Sequence, residues 1–389
     1  MKIVHVIHSI DAEGGGLQAV AMRLAAAQSL MGHDIHLVGY GDSNAKGRMF
    51  EAARAIPGFD GVYLHIMART DSMELVLCLD GRTVLNDVLR HTDMVHLHGV
   101  WEPMLKLAAS LARRAKIPYC ICPAGMLDLW SLQQKAWKKR TALKLGYRKM
   151  LDEAHFIHAL NADEVDLMAP LALKAPKHII PNGVFAEEFA PLPQQGLFRR
   201  DIEFADDRRF VLFLSRLHYK KGLDILAKAF RIVADACPDV DLVVAGPDGG
   251  SLAGFTALVR DLRLSDRVRI VGPIYGPAKL QAIVDAACFC LPSRQEGFSI
   301  AITEALACGT PAVITHNCHF PEVATADAGL VVALDPTEVA DALIAILGDV
   351  AMTRRMGKNG RALVLENYTW PKIAAMTLNA YCAEAAVDG

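Results

Sequence analysis

The chain has 389 residues, more than one hydrophobic core usually holds, so its length predicts two domains. Apolar residues make up 52% of the chain and charged residues 22%, which excludes a disordered protein. The formal net charge of −2 excludes an overall electrostatic attraction to nucleic acid or to a membrane, so a partner of either kind would need a local basic patch.

The chain contains nine cysteines and no C-x-x-C pair. Cys120 and Cys122 alternate within an apolar run, as do Cys288 and Cys290, which is typical of small buried side chains in strands. We therefore interpret the cysteines as reduced structural thiols and expect a cytoplasmic protein. The first ten residues, MKIVHVIHSI, indicate a strand and not a signal peptide, and no apolar run reaches the ~18 residues that span a bilayer.

Short β-branched runs alternate with longer Ala- and Leu-rich segments along the chain. In the first half these runs predict strands at Lys2–His8, Ile35–Tyr40, Val62–Ala68, Met94–Val100, Tyr119–Pro123, Phe156–Leu160 and His178–Pro181. In the second half they predict strands at Phe210–Arg216, Leu242–Gly246, Val268–Gly272, Ala286–Pro292, Pro311–Thr315 and Gly329–Ala333. The helical patterns between them include Leu17–Met31, Leu223–Cys237 and Thr337–Leu347. This alternation predicts an α/β fold with parallel sheets and right-handed crossovers.

The alternation is interrupted once, between Asn182 and Arg209, where prolines, a glycine and clustered charges are typical of an interdomain linker. We therefore expect two doubly wound domains of similar size joined by a hinge. Ligands of such sheets bind beyond the carboxyl ends of the strands, and the cleft between two facing domains is the expected active site.

The glycine-rich loop Gly14–Gly16 follows the first predicted strand and leads into the first predicted helix. It is compatible with a tight turn, but we favour an anion or substrate contact through free N–H groups. The spacing Gly14-x-Gly16-x-x-Ala19 also fits a relaxed NAD-binding fingerprint, which needs an acidic residue about 20 residues further on. The nearest candidate, Asp42, follows Gly16 by 26 residues, so NAD is the least favoured of the three.

Two histidines alternate in the strand that ends VHLHG. His98 stands at the carboxyl end, where ligands bind in this class of sheet, and we predict a functional role for it. His96 lies deeper in the strand and is interpreted as a core residue. Because we find no third metal ligand at a suitable spacing, a zinc site is not expected.

The segment SRLHYKKGLD begins where the first strand of the second domain ends. Arg216 and Lys221 flank a loop that leads into a helix N-terminus. Two cations beside exposed backbone amides suit a diphosphate, Arg through its planar fork and Lys as a point charge.

Two carboxylates, Glu296 and Glu304, stand eight residues apart in SRQEGFSIAITEALACGTP, the first in a loop and the second in a predicted amphipathic helix, Ser299–Cys308. Even if all eight steps were helical, their Cα atoms would lie ~12 Å apart. The carboxyl groups of glycosidases lie ~5 Å apart in retaining enzymes and ~6.5–9.5 Å apart in inverting ones. The spacing therefore favours a long ligand over a single scissile bond. The amides of residues 298–300 lie between the two carboxylates and can bind phosphate oxygens.

Together these motifs resemble the GT4 family of retaining glycosyltransferases, which has the GT-B fold of two facing Rossmann-like domains. The resemblance covers almost the whole chain. The motifs that carry it are, in chain order, Gly14–Gly16, His98, Ile179–Val184, Arg216 with Lys221 and Gly222, Glu296 with Glu304, and Ala307–Pro311.

The resemblance implies a role for each matching residue on the donor. Arg216 and Lys221 would hold the diphosphate and stabilise the leaving nucleotide without a metal. Glu304 would accept hydrogen bonds from the ribose hydroxyls, and Glu296 would bind hydroxyls of the transferred sugar. The backbone amides that would lie alongside are those of Phe298, Ser299 and Ile300.

The resemblance also assigns roles in the first domain. His98 would approach the transferred sugar, and Gly15 and Gly16 would lie near the diphosphate or the acceptor. The implied domains are an acceptor-binding domain over residues 1–186, a nucleotide-sugar-binding domain over 187–370, and a terminal helix, 371–389, that crosses back to the first domain.

We therefore expect a hexosyltransferase that uses a UDP- or GDP-sugar, with a saccharide or lipid-linked acceptor and no further cofactor, in polysaccharide or glycolipid biosynthesis. A sugar-nucleotide epimerase of the same fold is an alternative, and it would not need an acceptor pocket. A catalytically silent sugar-nucleotide-binding protein is another, and loss of His98, Arg216 or Lys221 would indicate it, but all three are present.

The chain departs from the family pattern at two places. Phe185 follows Val184 where the family often has an acidic residue, so any role for that carboxylate is absent. Between Thr315 and Glu322 the chain reads HNCHFP where the family often has a pair of glycines, which we expect to affect donor choice.

The segment Gln134–Met150 carries seven Lys and Arg residues, no acidic residue, and the aromatic residues Trp137 and Tyr147. A basic amphipathic helix can lie on an anionic membrane, and many members of the family act on lipid-linked acceptors, so peripheral contact with the inner face of a membrane is one hypothesis. The other hypothesis is a solvated helix that packs on the protein through Leu143, Tyr147 and Leu151. No recognised fold or motif accompanies the charge, so we expect no nucleic-acid partner.

Overall fold

The β-branched runs of the sequence form two parallel sheets in the computed structural model, which describes residues 1–10, 16–41, 53, 56–68, 72–134, 136–205 and 208–383. The chain divides into two units, Met1–Phe185 with Trp370–Gly389, and Ala186–Thr369. These divisions lie one residue before the boundaries expected from the resemblance.

The first unit contains a seven-stranded sheet in the order β3-β2-β1-β4-β5-β6-β7. Its strands are β1 (Lys2–Ser9), β2 (Asp34–Gly41), β3 (Val62–Ala68), β4 (Met94–His98), β5 (Tyr119–Cys122), β6 (Phe156–Ala159) and β7 (Lys177–Ile179). The α-helices described in the chain up to residue 185 are α1 (Gly16–Leu30), α2 (Ser72–Leu77), α3 (Leu79–Val88), α4 (Pro103–Ala115), α5 (Leu129–Gln133), α6 (Ala136–Ala142), α7 (Arg148–Asp152) and α8 (Ala162–Met168). The β1–β4 register places His5 beside His96 and Ile7 beside His98.

The second unit contains a six-stranded sheet in the order β10-β9-β8-β11-β12-β13. Its strands are β8 (Arg209–Leu214), β9 (Val240–Ala245), β10 (Val268–Gly272), β11 (Cys288–Leu291), β12 (Ala312–Thr315) and β13 (Gly329–Val332). The helices described here are α9 (Leu197–Asp201), α10 (Leu223–Ala236), α11 (Leu252–Asp261), α12 (Gly276–Asp285), α13 (Ile300–Ala307), α14 (Glu322–Thr325), α15 (Pro336–Gly348) and α16 (Val350–Asn367).

The last helix, α17 (Trp370–Cys382), belongs to the first unit although it follows the second in the chain. The amide of Trp370 donates to the carbonyl of Val184, and the indole ring is fully buried. Further along α17, the buried Tyr381 forms hydrogen bonds with side chains of α1 and β4. The terminal helix is therefore part of the core of the first unit.

All thirteen predicted strands are confirmed, each to within two residues at either end. A parallel strand that is covered on both faces appears in the sequence as a mostly apolar run. The strands in which every residue is buried are β4, β5, β6, β9, β11 and β12. In each sheet the strand order reverses once, between β1 and β4 and between β8 and β11. Such a reversal opens a crevice at the carboxyl ends of the two central strands, where ligands bind.

The predicted linker over 182–209 contains the division between the two units, after Phe185, but the rest of the segment is folded. The segment contains α9, whose first amides donate to the carboxylate of Asp285: Gly196 N lies 2.5 Å and Arg199 N 3.1 Å from its oxygens. Phe189 and Phe198 are buried. Residues from Ala186 onward therefore pack as part of the second unit.

The expected basic helix over 134–150 is interrupted. α6 ends at Ala142, and the segment before α7 contains Gly146 with a φ of +100°, which stops a continuous helix. Tyr147 is buried, whereas Trp137 is 70% exposed beside the Lys138 ammonium. No helix among the described residues is long and apolar enough to cross a membrane.

Candidate active site

The loops that follow β8 and β11 carry the cations and the first carboxylate predicted from the sequence. Arg216 lies two residues beyond β8, Lys221 ends the 3-10 turn Tyr219–Lys221, and Glu296 lies in the loop after β11. Because β8 and β11 are adjacent and parallel, both loops leave the sheet at the same edge. The fold therefore brings residues some 80 positions apart to the switch point of the second sheet.

Lys221 and Glu296 form a two-point ion pair at this edge. The Lys221 Nζ atom lies 2.6 Å and 2.7 Å from the two carboxylate oxygens, and the Ser293 hydroxyl donates to the first of them at 2.5 Å. The Lys221 side chain is 20% exposed and that of Glu296 is 7% exposed. The carboxylate is held by two partners, and the lysine side chain stays partly exposed.

Gly222 explains why the motif needs a glycine after the lysine. Its φ is +69°, and a Cβ atom at this position would lie 1.9 Å from the carbonyl oxygen of Pro292. The turn after β8 therefore touches the backbone of the loop after β11. Arg294 of that loop strengthens the junction through a bidentate pair with Asp224, with both N–O distances 2.7 Å.

Arg216 and the start of α13 present unpaired polar groups. The Arg216 side chain is exposed, lies against Gly249, and has no carboxylate partner among the residues that the structure describes. In the described part of the chain, the amides of Phe298, Ser299 and Ile300 donate to no backbone or side-chain acceptor. The unpaired amides of a helix N-terminus and an exposed guanidinium are groups that can bind phosphate oxygens.

Glu304 lies inside α13 and is 8% exposed. Its carboxylate accepts a hydrogen bond from the ammonium of Lys279, on α12, at 2.5 Å. Glu296 and Glu304 thus contact different lysines on different elements. The helix is not amphipathic as predicted, because six of its eight residues, Ile302 to Ala307, are buried.

In the first unit, His98 ends β4 at the switch point beside β1 and is 1% exposed. The following Gly99 has a φ of +102°, which accounts for the glycine in VHLHG. Gly16 is the exposed first residue of α1. Gly15 lies outside the described residues.

His98 belongs to a buried cluster that the sequence analysis did not find. His5 Nδ1 lies 2.9 Å from His98 Nε2, and His96 and His158 lie 3.3 Å apart through Nε2 and Nδ1. Nitrogen atoms of His5, His96 and His98 all lie within 4.8 Å of one another. His5 is thus the third imidazole that the sequence analysis failed to identify. A metal ion would need an unprotonated nitrogen on both His5 and His98. These two nitrogens share a hydrogen bond, so one of them carries a proton. We therefore interpret the group as a hydrogen-bonded cluster.

The two departures from the family pattern have structural consequences. Phe185 is 1% exposed and packs near Trp370 and beneath the Arg23 guanidinium, so it is a core residue. In the HNCHFP segment, the carbonyl of Asn317 accepts from the amide of Glu296 at 3.0 Å. The segment therefore supports the loop that carries the predicted sugar-binding carboxylate.

Two family models match the chain. Residues 15–183 match the glycosyl transferase 4-like domain, and residues 194–363 match glycosyl transferases group 1. Together they span most of the chain in the expected order. The chain belongs to the GT4 family of glycosyltransferases.

Curated relatives of this GT4 protein align over parts of their length. A GDP-mannose-dependent monoacylated alpha-(1-6)-phosphatidylinositol monomannoside mannosyltransferase of Corynebacterium glutamicum is 30% identical over 201 residues, 49% of this chain and 52% of the relative. A D-inositol 3-phosphate glycosyltransferase of Kribbella flavida is 27% identical over 323 residues, 78% of this chain and 75% of the relative. The chain spans about half the length of several curated relatives that it matches.

Solved structures resemble the GT4 protein over nearly its whole length. Sucrose-phosphate synthase from Thermosynechococcus elongatus has a TM-score of 0.78 at 21% identity, with 98% of each chain covered. Anabaena HepE, in a complex with UDP and glucose, has a TM-score of 0.78 at 17% identity, with 97% of this chain and 98% of that one covered. The likeness confirms the GT-B fold of two Rossmann-like domains.

The buried histidines make the stability of the first unit sensitive to mild acid. Burial lowers the pKa of His5 and of His158 from 6.5 to about 4, and lowers the pKa of His96 and His98 well below 6.5. Below pH 6.5 the unfolded chain binds protons that the folded chain does not, so stability falls as the pH falls from 6.5 toward 4, and is unaffected by these groups above pH 7.

We expect the free energy of unfolding of the first unit to fall by roughly 4 kcal/mol between pH 7 and pH 5 from His5 and His158 alone. All four tryptophans, at positions 101, 130, 137 and 370, belong to this unit, so urea unfolding followed by tryptophan fluorescence reports on it. Carboxylates titrate mostly below this window. Equal free energies at pH 7 and pH 5 would contradict the prediction.

Proposed function

We propose that the chain is a retaining glycosyltransferase that transfers a hexosyl unit from a UDP- or GDP-sugar to a saccharide or lipid-linked acceptor, in polysaccharide or glycolipid biosynthesis. The observation that carries the proposal is the junction of the loops after β8 and β11. There, Lys221 and Glu296 form a two-point ion pair two residues before the unpaired amides that begin at Phe298. Cation, carboxylate and phosphate-binding amides are the groups that a sugar diphosphate requires.

In this mechanism the donor diphosphate binds at the amides of Phe298, Ser299 and Ile300, with Arg216 and Lys221 on its oxygens. Negative charge grows on the diphosphate as the glycosidic bond breaks. Cations held in place before the reaction stabilise that charge without reorganisation. Lys221 is held by Glu296, so its position is fixed before the donor binds. This arrangement supplies the positive charge from the chain itself, which supports transfer without a metal.

The carboxylates bind the two ends of the donor. Glu296 accepts hydrogen bonds from hydroxyls of the hexose, and Glu304 accepts them from the ribose. Each carboxylate is mostly buried and already touches a lysine, so neither is free to act as a solvent-exposed base. Retention of configuration then follows from attack of the acceptor on the face that the diphosphate leaves, with a diphosphate oxygen taking the acceptor proton.

Related proteins support a nucleotide-sugar donor. The Corynebacterium relative depends on GDP-mannose by its name, and HepE has been solved with UDP-glucose. We expect either a UDP- or a GDP-sugar to raise the thermal unfolding midpoint of the chain, because a ligand that binds only the folded state stabilises it by mass action. The matched ADP-sugar is the control.

The stabilising sugar nucleotide is then incubated with candidate saccharide and lipid-linked acceptors in EDTA, and the product anomer is assigned by NMR. Transfer with an α-linked product from an α-linked donor is the expected result. An inverted anomer would contradict retention. Release of an altered sugar without transfer would indicate an epimerase, and binding without any reaction would indicate a silent binding protein.

We propose further that the exposed cations near α6 contact an anionic membrane, since Lys138, Arg140 and Lys144 are exposed close to Trp137. At about 1 kcal/mol for each cation near the surface, replacing all three with alanine is expected to weaken sedimentation with anionic vesicles about a hundredfold at low salt. The matched control replaces the exposed Arg82, Arg90 and Arg114 of the same unit. Equal binding of both triple variants, or no binding at low salt, would refute the membrane contact.

A further inference from the structure

Six buried side chains of the first unit form one continuous line of hydrogen bonds. The line runs from His98 through His5, Gln28, Tyr381, His96 and His158 to the carbonyl oxygen of Ile180. The donor–acceptor distances along it are 2.9, 2.8, 3.2, 2.7, 3.3 and 2.7 Å. All six side chains are at most 5% exposed.

The carbonyl end determines the direction of the first half of the line. A carbonyl oxygen only accepts, so His158 Nε2 carries the proton and its Nδ1 is bare. His96 Nε2 must then donate to that Nδ1, which leaves His96 Nδ1 bare to accept from the Tyr381 hydroxyl. This assignment needs neutral imidazoles, and burial favours the neutral form of both rings.

The same reasoning continues to His98. The Tyr381 hydroxyl has one proton, already donated to His96, so it accepts from the amide N–H of Gln28. The Gln28 oxygen therefore faces His5 and accepts from its Nε2–H, which leaves His5 Nδ1 bare. His98 Nε2 must donate to that atom.

This order leaves His98 Nδ1 unprotonated, and no described residue donates to it. A buried acceptor without a partner is rare in folded proteins and calls for a donor from outside the protein. His98 stands at the switch point of the first sheet, where a ligand is expected. A hydroxyl group is the matching ligand chemistry, because it donates a hydrogen bond and brings no charge into the buried cluster.

We propose that Tyr381 of the terminal helix is a positioning residue that fixes the tautomer of His98, so that bare Nδ1 accepts a hydrogen bond from a hydroxyl of the transferred sugar. The role of the sugar hydroxyl rests on the proposed function, whereas the tautomer does not. Without the Tyr381 hydroxyl, Gln28 has no acceptor that holds its amide in one orientation. If the amide flips, its N–H donates to His5 Nε2, His5 donates to His98 Nε2, and the proton of His98 moves to Nδ1.

The test is the ¹⁵N NMR signature of His98, assigned among the fourteen histidines by its absence from the His98→Gln variant. In the wild-type protein we expect protonated Nε2 and bare Nδ1. In Tyr381→Phe we expect a mixture of the two tautomers, with kcat lowered roughly twofold for an equal mixture and roughly tenfold if the Nδ1–H form dominates. The affinity for the nucleotide diphosphate is expected to stay unchanged, because it does not contact His98.

Thr377→Val is the matched control, since it also removes a buried hydroxyl from α17, one that donates to the carbonyl of Ile373 within the same helix. It is expected to leave both the His98 signals and kcat unchanged. A proton on Nδ1 in the wild-type protein overturns the proposal without any variant, and so does a Tyr381→Phe protein with an unchanged tautomer. If the tautomers behave as expected but no sugar nucleotide binds or reacts, the proposed function fails and the positioning of His98 stands.

Discussion

Lys221→Ala is expected to lower kcat for transfer by about 10²–10³-fold, the effect of removing one fixed electrostatic contact to the developing charge of a transition state. The Nζ atom lies within 2.7 Å of both oxygens of Glu296, so the substitution removes a cation and also leaves a 7% exposed carboxylate without its partner. Initial rates at saturating donor measure the effect, and circular dichroism measures any loss of stability.

Two controls separate these consequences. Lys228→Ala removes an exposed lysine of α10 and is expected to leave the rate unchanged. The double variant Lys221→Met/Glu296→Gln removes both charges together, so it restores stability relative to Lys221→Ala without restoring the rate. Wild-type rates in Lys221→Ala would show that the diphosphate assignment is wrong, and a stability loss alone would show a structural role.

The fold could be predicted from sequence because its signals are local. Each strand is a short apolar run between helical segments, as in Val62–Ala68 and Val268–Gly272, whose predicted bounds match the structure. In the fully buried strands β11 and β12 the run is apolar because a parallel sheet buries both of its faces. Strand ends then locate the loops, so Arg216, Lys221 and Glu296 could be placed at one edge of a sheet before their contacts were known.

The contacts that the sequence analysis missed join residues far apart in the chain. Lys279 meets Glu304 across 25 positions, and His96 meets Tyr381 across 285. No local spacing records either pair, because each depends on the packing of one helix against another element. His5 was read as a strand residue, and only the β1–β4 register places it beside His96.

Turn-forming composition misled the linker prediction for a similar reason. The segment around Gly196 has the composition of a linker, but the carboxylate of Asp285, 89 residues away, caps a short helix there. In the basic segment, the clustered Lys and Arg residues indicated one amphipathic helix, yet Gly146 adopts a positive φ that a helix does not allow. Composition shows which conformations are permitted, and tertiary partners decide which one forms.

Glu304→Gln and Glu296→Gln are expected to separate binding from transfer. The nucleotide diphosphate product contains the ribose and lacks the hexose. Glu304→Gln should therefore raise the Kd for the nucleotide diphosphate about tenfold, which corresponds to the free energy of one charged hydrogen bond. The kcat should stay nearly unchanged. Glu296→Gln should leave that Kd within about twofold and lower kcat about a hundredfold, because it weakens contacts to the sugar and the hold on Lys221.

Titration calorimetry with UDP and GDP measures the first quantity, and initial rates at saturating donor measure the second. Glutamine keeps the size of each side chain and an oxygen for its lysine, so packing is conserved in both variants. Lys279→Met is a useful third variant: it removes the cation beside Glu304 and should affect nucleotide affinity alone. Equal losses of affinity and rate in both glutamine variants would show that the carboxylates act on one part of the donor, as the acid and base of a single bond would.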